Sequence, residues 1–207
     1  MSFFVFEGID GAGKTTQCRL LAEALQKDGR RVVAVREPGG TALGEQLRRI
    51  LLAGEGLNIA PTAELFLFLA ARAQLLTERI LPALSWGQVV LADRFTASTL
   101  AYQGYGRGIP LKALEDAMYL AGGSLTPRRQ FLLDIAPAKA LERLGPQRDR
   151  LERLGESFLA VVRQGYLELA ARWPKQFVVL DATLPPAELH RRIYAEVGRV
   201  LRGEDWD

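Results

Sequence analysis

A glycine-rich stretch near the start of the chain carries a lysine and two hydroxyls at a spacing suited to phosphate chemistry. Residues 6–16 read FEGIDGAGKTT, and the part from Gly8 to Thr15 fits the pattern G-x-x-x-x-G-K-[ST]. Glycines let the backbone turn so that successive N–H groups face phosphate oxygens, and the helix that follows adds its positive dipole end. Lys14 can reach the β- and γ-phosphates, and Thr15 can hold Mg²⁺. We therefore predict a loop that binds a nucleoside triphosphate. The predicted contacts are Gly8, Ile9, Asp10, Gly11, Ala12, Gly13, Lys14, Thr15 and Thr16.

An acid and an arginine follow a second apolar run. The run QVVLADR, residues 88–94, ends in Asp93 and Arg94. Ligands of open α/β folds bind at the carboxyl edge of the sheet, so both side chains are expected beside the loop. Asp93 could hold Mg²⁺ through water, and Arg94 could neutralise the phosphate of an acceptor. A structural ion pair between the two residues is the alternative.

Five short apolar runs predict the strands that position these groups. Their low alternation is typical of strands buried on both faces of a parallel sheet. They lie at 3–8, 30–37, 88–94, 129–135 and 176–182. Helical patterns lie between and after them, at 14–27, 41–53, 61 to about 84, about 110–121 with a stop at Gly122-Gly123, about 156–172 and 186–201. The alternation predicts an α/β fold with a five-stranded parallel sheet flanked by helices, in one domain covering residues 1–207.

The composition excludes several classes of protein. Hydrophobic residues make up 48% of the 207 residues and charged residues 25%, as in soluble globular domains. One cysteine excludes disulfide scaffolds and cysteine-based zinc sites, and Cys18 is expected to be a small buried residue rather than an activated thiol. The net charge of +3 does not indicate nucleic acid, and the longest apolar run, residues 65–71, is far shorter than the roughly 20 residues that cross a bilayer. We expect a cytoplasmic protein with no membrane or nucleic-acid partner.

Four blocks of the sequence resemble the thymidylate kinases. The block DRFTASTLAYQG at 93–104 is similar to the family signature D-R-x-x-x-S-x-x-A-Y-Q. The other blocks are REPGGT at 36–41, AELFLFLAARAQL at 63–75 and DRLE at 149–152, in the family's order. The resemblance runs from about residue 3 to residue 182. It implies a three-layer P-loop kinase fold with a mobile lid at about 141–156. It also implies that a homodimer transfers the γ-phosphoryl group of ATP to dTMP, giving dTDP, with Mg²⁺.

The resemblance also implies how the acceptor nucleotide is read. Phe68 would stack on thymine, and Arg72, one helical turn later on the same face, would reach the base O4. Thr99 and Gln103 would complete the recognition of the base edge. Tyr102 would lie near the 2′ position of the sugar and discriminate against ribose.

Charged residues are expected around the acceptor phosphate. By the resemblance, Arg94 and Arg36 would bind that phosphate, and Arg48 would project into the same pocket. Asp10 matches an acidic position near the sugar 3′-hydroxyl and the centre of phosphoryl transfer. Glu37, in the block REPGGT, is also counted among the residues that bind the acceptor.

The segment 141–156, LERLGPQRDRLERLGE, is dense in arginines and acids. Its charge alone favours a solvated helix-turn-helix over a flap that brings arginines to phosphate. The resemblance favours the flap, because the variable positions of the glycine-rich loop carry no basic residue and some relatives supply an arginine from the lid. Arg148, Arg150 and Arg153 are the candidates. Arg148 and Arg150 are expected to bind ATP, and Arg150 best matches the family position, although this lid is about two residues longer than usual.

Two alternatives remain at this stage. One is a kinase for another pyrimidine nucleotide or for a deoxynucleoside, in which Glu37 could act as a general base. The other is a nucleotide-dependent switch or binding module, but the sequence has no N-K-x-D motif for guanine and no basic stripe for DNA. The long helix at 61–84 and the helix near 110–121 carry more apolar surface than one sheet face needs, which predicts a partner subunit.

Overall fold

One parallel sheet runs through the molecule, and its strands are the predicted apolar runs. The structure is a computed structural model that describes residues 1–53, 57–122, 125–145 and 148–204. The sheet has the order β2-β3-β1-β4-β5. Its strands are β1 (Phe3–Glu7), β2 (Val32–Arg36), β3 (Val89–Asp93), β4 (Arg129–Asp134) and β5 (Phe177–Asp181). In the register of the central pair, Phe6 of β1 lies beside Asp93 of β3, so the loop after β1 and the residues after β3 meet at one edge.

Helices cover both faces of this sheet. Phe4 and Phe6 belong to the larger apolar core, whereas Phe3 and Val5 on the opposite face belong to a second core. Both sets are buried, which explains why β1 shows no alternation in its sequence. The α-helices are α1 (Lys14–Lys27), α2 (Ala42–Ala53), α3 (Pro61–Leu75), α4 (Leu81–Ser85), α5 (Thr96–Thr99), α6 (Leu111–Leu120), α7 (Pro137–Leu144), α8 (Gly155–Arg172) and α9 (Pro186–Leu201).

Two π-helical segments depart from the regular pattern. The predicted helix from 61 to about 84 is α3 and α4 joined by a π-helical turn, Leu76–Ile80. The turn lies just before Pro82, whose missing N–H interrupts the hydrogen-bond ladder. A second π-helical segment, Leu100–Gly106, continues α5.

The predicted fold class is confirmed, and α5 and α7 are the helices that the sequence did not reveal. α5 begins directly after Phe95, which offers no side-chain cap, and α7 is a short helix of eight residues that runs into the charged segment taken as a lid. Gly123, part of the predicted helix stop, and residues 146 and 147 of the predicted lid lie outside the described residues. Among the described helices, none combines the length and apolar character that crossing a membrane requires.

Candidate active site

The glycine-rich loop has the backbone that its sequence predicts. Gly8, Gly11 and Gly13 have φ angles of 134°, 81° and 94°, in the region that glycine adopts without strain. A Cβ atom on Gly11 would lie 2.3 Å from the carbonyl oxygen of Ala140 in α7. The loop therefore packs directly against α7, and Gly13 leads into the N-terminus of α1.

Lys14 lies over this loop. Its Nζ donates a hydrogen bond to the carbonyl oxygen of Ile9 at 2.9 Å and lies 3.8 Å from Asp10 Oδ1. Burial and the nearby charge of Arg94 lower the pKa of the Lys14 ammonium. A bound anion would favour the charged lysine, so the arrangement suits a phosphate ligand.

A hydroxyl and a carboxylate meet at the entrance of α1. Thr15 Oγ1 donates a hydrogen bond to Asp93 Oδ2 at 2.5 Å, and both residues line the pocket above the loop. Two oxygen ligands side by side suit Mg²⁺, which takes few protein ligands and completes its shell with water and phosphate. Within the described residues, no group of three acidic, histidine or cysteine side chains forms a metal site by itself.

Two pockets share a wall at the carboxyl edge of the sheet. The pocket above the loop extends past Arg143 to Ala182, Leu184 and Pro186. The second pocket is lined by Phe68, Arg72, Ser98, Thr99, Tyr102 and Gln103, with Pro38, Leu52, Asp149 and Leu151. Four residues line both pockets: Asp10, Glu37, Arg48 and Arg94. A ligand in each pocket would therefore meet the other at these charged side chains.

Arg94 occupies the centre of this wall. Its Nη2 donates hydrogen bonds to Asp10 Oδ1 at 2.7 Å and to the Tyr102 hydroxyl at 3.1 Å, and its guanidinium lies 4.9 Å from the centre of the Tyr102 ring. Burial alone would raise the pKa of Asp10, but the charges of Arg94 and Lys14 outweigh it and hold that pKa well below its usual value. Asp10 is thus ionised, and Arg94 remains charged inside a largely buried site.

Arg72 is fixed by hydrogen bonds from two of its nitrogens, and the third has no partner among the described residues. Its Nε donates to Glu37 Oε2 at 2.8 Å, and its Nη2 donates to Thr99 Oγ1 at 2.9 Å. Within the described part of the chain, Arg72 Nη1 and Glu37 Oε1 are buried without a hydrogen-bond partner. Unpaired buried donors and acceptors are costly, so the second pocket is suited to a polar ligand that satisfies them.

The remaining predicted acceptor residues differ in position. Phe68 packs partly against the core and lines the second pocket, while Gln103 Nε2 donates to Glu64 Oε1 at 2.9 Å. Arg48 lines both pockets. Arg36 lines only the pocket above the loop, where it pairs with a glutamate of α2 at 3.0 Å.

The chain is similar to known proteins over nearly its whole length. The family described as thymidylate kinase matches residues 6–193. The chain belongs to the thymidylate kinase family. It is 46% identical over 202 residues to the thymidylate kinase of Desulforudis audaxviator (strain MP104C), covering 97% of this chain and 91% of that protein. It is 49% identical over 197 residues to that of Synechococcus sp. (strain JA-3-3Ab), covering 94% of both. The solved thymidylate kinase of Ehrlichia chaffeensis covers 97% of each chain with a TM-score of 0.76 at 34% identity.

The family membership confirms the resemblance seen in the sequence, and the structure brings most of the predicted residues together. All predicted loop residues from Asp10 to Thr16, and Asp93, line the pocket above the loop, but Gly8 and Ile9 are not among its lining residues. All the predicted base and sugar residues line the second pocket: Phe68, Arg72, Thr99, Tyr102 and Gln103.

The lid arginines are placed differently from the expectation that the resemblance to thymidylate kinases gave. Arg150 Nη2 donates to Glu64 Oε2 at 2.5 Å, and its Nε donates to the Leu51 carbonyl oxygen at 2.8 Å. Arg148 and Arg153 do not line either pocket. Arg150 thus pairs with the fully buried Glu64 and does not line either pocket.

Arg143, near the end of α7, is an arginine of the predicted lid segment that lies at the glycine-rich loop. It lines the pocket above the loop, where Nη2 donates to the Ala182 carbonyl oxygen at 3.1 Å and Nη1 to the Gly11 carbonyl oxygen at 3.4 Å. The sequence did not single it out, because α7 was not recognised as a helix packed on the loop. Cys18 is buried as expected, and burial raises the pKa of its thiol to about 12.

Proposed function

We propose that this chain transfers the γ-phosphoryl group of ATP to dTMP, forming dTDP and ADP. The supporting observation is that two pockets share Asp10, Glu37, Arg48 and Arg94 as a common wall. One pocket has a glycine-rich loop suited to a triphosphate, and the other combines an aromatic side chain with hydrogen-bonding groups suited to a pyrimidine. With one nucleotide in each pocket, the phosphates of the two nucleotides would lie next to each other at this wall.

In the acceptor pocket, Phe68 stacks on thymine and the free Nη1 of Arg72 donates to the base carbonyl O4. Thr99 and Gln103 lie at the base edge, and Tyr102 lies near the sugar. Arg94 binds the dTMP phosphate. Arg36, Glu37 and Arg48 are the other residues that we propose bind the acceptor nucleotide.

In the donor pocket, the loop amides and Lys14 bind the ATP phosphates. Thr15 and Asp93 would hold Mg²⁺, which supplies charge neutralisation at the β- and γ-phosphates when bound. Arg143 contacts the donor nucleotide between Gly11 and Ala182. We place Arg143 there in preference to Arg150, because Arg150 would have to break its pair with buried Glu64 to reach ATP.

The chemistry then needs positioning and charge neutralisation rather than a general base. An oxygen of the dTMP phosphate, already ionised at neutral pH, forms a bond to the γ-phosphorus as the bond to the ADP oxygen breaks. Arg94 and Lys14 stabilise the negative charge of the transferring group, and the ionised Asp10 orients Arg94. Glu37 is paired with Arg72, which argues against its use as the base of a nucleoside kinase.

We also propose a homodimer in the cytoplasm. Phe66 of α3 and Tyr119 and Leu120 of α6 are exposed by 60%, 71% and 87% of their surface. Large apolar side chains left in water on two helices support an interface between copies of this chain.

The test of the reaction is a coupled assay of ADP release with ATP, Mg²⁺ and four acceptors: dTMP, dUMP, dCMP and thymidine. We expect dTMP to give the highest kcat/KM and thymidine to give no turnover, because only a monophosphate satisfies Arg94. Turnover of thymidine in preference to dTMP would support the nucleoside kinase instead. Absence of turnover with any monophosphate would refute the proposal.

A further inference from the structure

Glu7 is a buried carboxylate to which the proposed reaction gives no role. It ends β1, is fully buried and lines neither pocket. Its Oε1 accepts the backbone N–H of Phe95 at 2.9 Å, and its Oε2 accepts the hydroxyl of Ser98 at 2.5 Å and that of Tyr166 at 3.2 Å. Burying a carboxylate is costly unless hydrogen bonds satisfy it, and these three donors do so.

The backbone that Glu7 holds is strained. Arg94 has a φ of 74°, and among the described residues it is the only non-glycine residue with a positive φ. The turn is tied to the end of β1 on both sides, since the Arg94 N–H donates to the Phe6 carbonyl oxygen at 2.9 Å and the next N–H, of Phe95, donates to Glu7. Such a conformation persists only where the surroundings hold it.

Glu7 also sets the direction of the hydroxyls around the Arg94 guanidinium. Arg94 Nη1 donates to Ser98 Oγ at 3.1 Å and to the Tyr166 hydroxyl at 3.1 Å. Because Ser98 Oγ donates its proton to Glu7 Oε2, it keeps a lone pair that accepts the hydrogen bond from Arg94. Burial raises the pKa of the Glu7 carboxyl, and the hydrogen bond from Ser98 and the charge of Arg94 oppose that rise.

We propose that Glu7 is a positioning residue for Arg94: it fixes the strained turn and aims the guanidinium at the acceptor phosphate. This inference rests on the proposed function, because it takes Arg94 as the ligand of that phosphate. Glu7 acts only through Arg94 and touches neither nucleotide.

Two variants of the full chain separate this role from simple packing. Glu7→Leu fills the space but accepts no hydrogen bond, whereas Glu7→Gln keeps an acceptor for the Phe95 N–H. We expect Glu7→Leu to raise the KM for dTMP by about tenfold or more, because Arg94 loses the hydrogen bonds that position it. The KM for ATP should change by less than about twofold. Glu7→Gln should raise the KM for dTMP by only about threefold, which is rescue by the conservative side chain. Val197→Ala, a buried truncation in α9, serves as the control that lowers Tm without this split between the two KM values.

A crystal structure of each Glu7 variant gives a readout that does not depend on activity. We expect Arg94 to leave the positive φ region in Glu7→Leu and to keep it in Glu7→Gln. The inference is overturned if the wild type phosphorylates dTMP but Glu7→Leu changes both KM values equally or neither, or if Arg94 keeps its φ and its contacts. If Glu7→Leu does not fold, Glu7→Ala, which also removes the hydrogen-bond acceptor, replaces it in the comparison with Glu7→Gln, with the same results expected and the same results overturning the inference. A wild type without activity on dTMP would refute the proposed function, and the variant structures would still decide whether Glu7 positions Arg94.

Discussion

Single residues of the second pocket combine fixed geometry with unused hydrogen-bonding capacity. Arg72 is held by Glu37 and Thr99, and its Nη1 is left for a ligand. A guanidinium that is already fixed loses little conformational freedom when it binds a carbonyl oxygen, which favours recognition of one base over another. Phe68 lies one helical turn before Arg72 on α3, so the stacking surface and the donor face the same pocket.

We expect Phe68→Ala to weaken the binding of dTMP specifically. Stacking of a base on an aromatic side chain is worth about 1–3 kcal/mol, so the KM for dTMP should rise by about tenfold or more. The KM for ATP should not change, because Phe68 does not line the donor pocket. Steady-state kinetics with each nucleotide varied in turn checks this, with Tyr194→Ala on α9 as the aromatic control. An equal rise in both KM values would show that Phe68 only supports the fold.

At the scale of elements, Glu64 joins three parts of the chain that carry the site. This carboxylate, at the start of α3, accepts hydrogen bonds from Gln103 and Arg107 of the segment after α5 and from Arg150 of the predicted lid. Burial alone would raise the pKa of Glu64, but the hydrogen bonds from Arg107, Gln103 and Arg150 outweigh it and hold the pKa below its usual value of 4.5. The carboxylate therefore stabilises the fold in its ionised form.

The stability conferred by Glu64 should depend on pH. Because its pKa is lower in the folded state, its contribution is complete above pH 4.5, the unfolded value, and is lost as the pH falls through the lower folded pKa. We expect Glu64→Gln to cost about 2–3 kcal/mol near pH 7, since two arginines with some exposure lose their partner, and less below pH 4.5. Denaturant unfolding of both proteins between pH 3 and 7 measures the difference. A difference that does not vary with pH would contradict the role assigned to the charge.

The lid region yields a prediction that separates two arginines. We expect Arg143→Ala to raise the KM for ATP by about tenfold or more, because the proposed function places Arg143 at the donor nucleotide, with little effect on the KM for dTMP. Arg150→Ala should lower Tm through the loss of the Glu64 pair and change kcat by less than about tenfold. A loss of several orders of magnitude in kcat for Arg150→Ala would instead show that the lid delivers Arg150 to the phosphates.

The sequence predicts local features of this fold well and the long-range pairs poorly. The strands are apolar runs, and α1 directly follows a recognisable glycine-rich loop, so the positions of these elements follow from local sequence patterns. Phe68 and Arg72 could be paired because four residues separate them on one helix. The partners of Arg150 and Glu7 could not be predicted, because Glu64 is 86 residues from Arg150 and Phe95 is 88 residues from Glu7, and nothing in the local pattern marks such pairs.

At the scale of the whole molecule, the exposed side chains of α6 predict self-association. We expect the wild type to be a dimer at micromolar concentration, and Tyr119→Glu with Leu120→Glu to shift it toward monomer, because buried like charges are costly across a symmetric interface. Light scattering of the two proteins is the measurement. Lys112→Glu, on the same helix but polar in the wild type, is the control. A strictly monomeric wild type would refute the proposed dimer.

The whole account depends on two nucleotides meeting at the wall formed by Asp10 and Arg94. A crystal structure with dTMP and ADP bound tests this most directly. We predict that the pyrimidine ring lies against Phe68, that the dTMP phosphate is within hydrogen-bond distance of Arg94, and that the ADP phosphates lie on the loop from Gly8 to Thr15. A dTMP molecule bound elsewhere, or with its phosphate turned away from Arg94, would contradict the account.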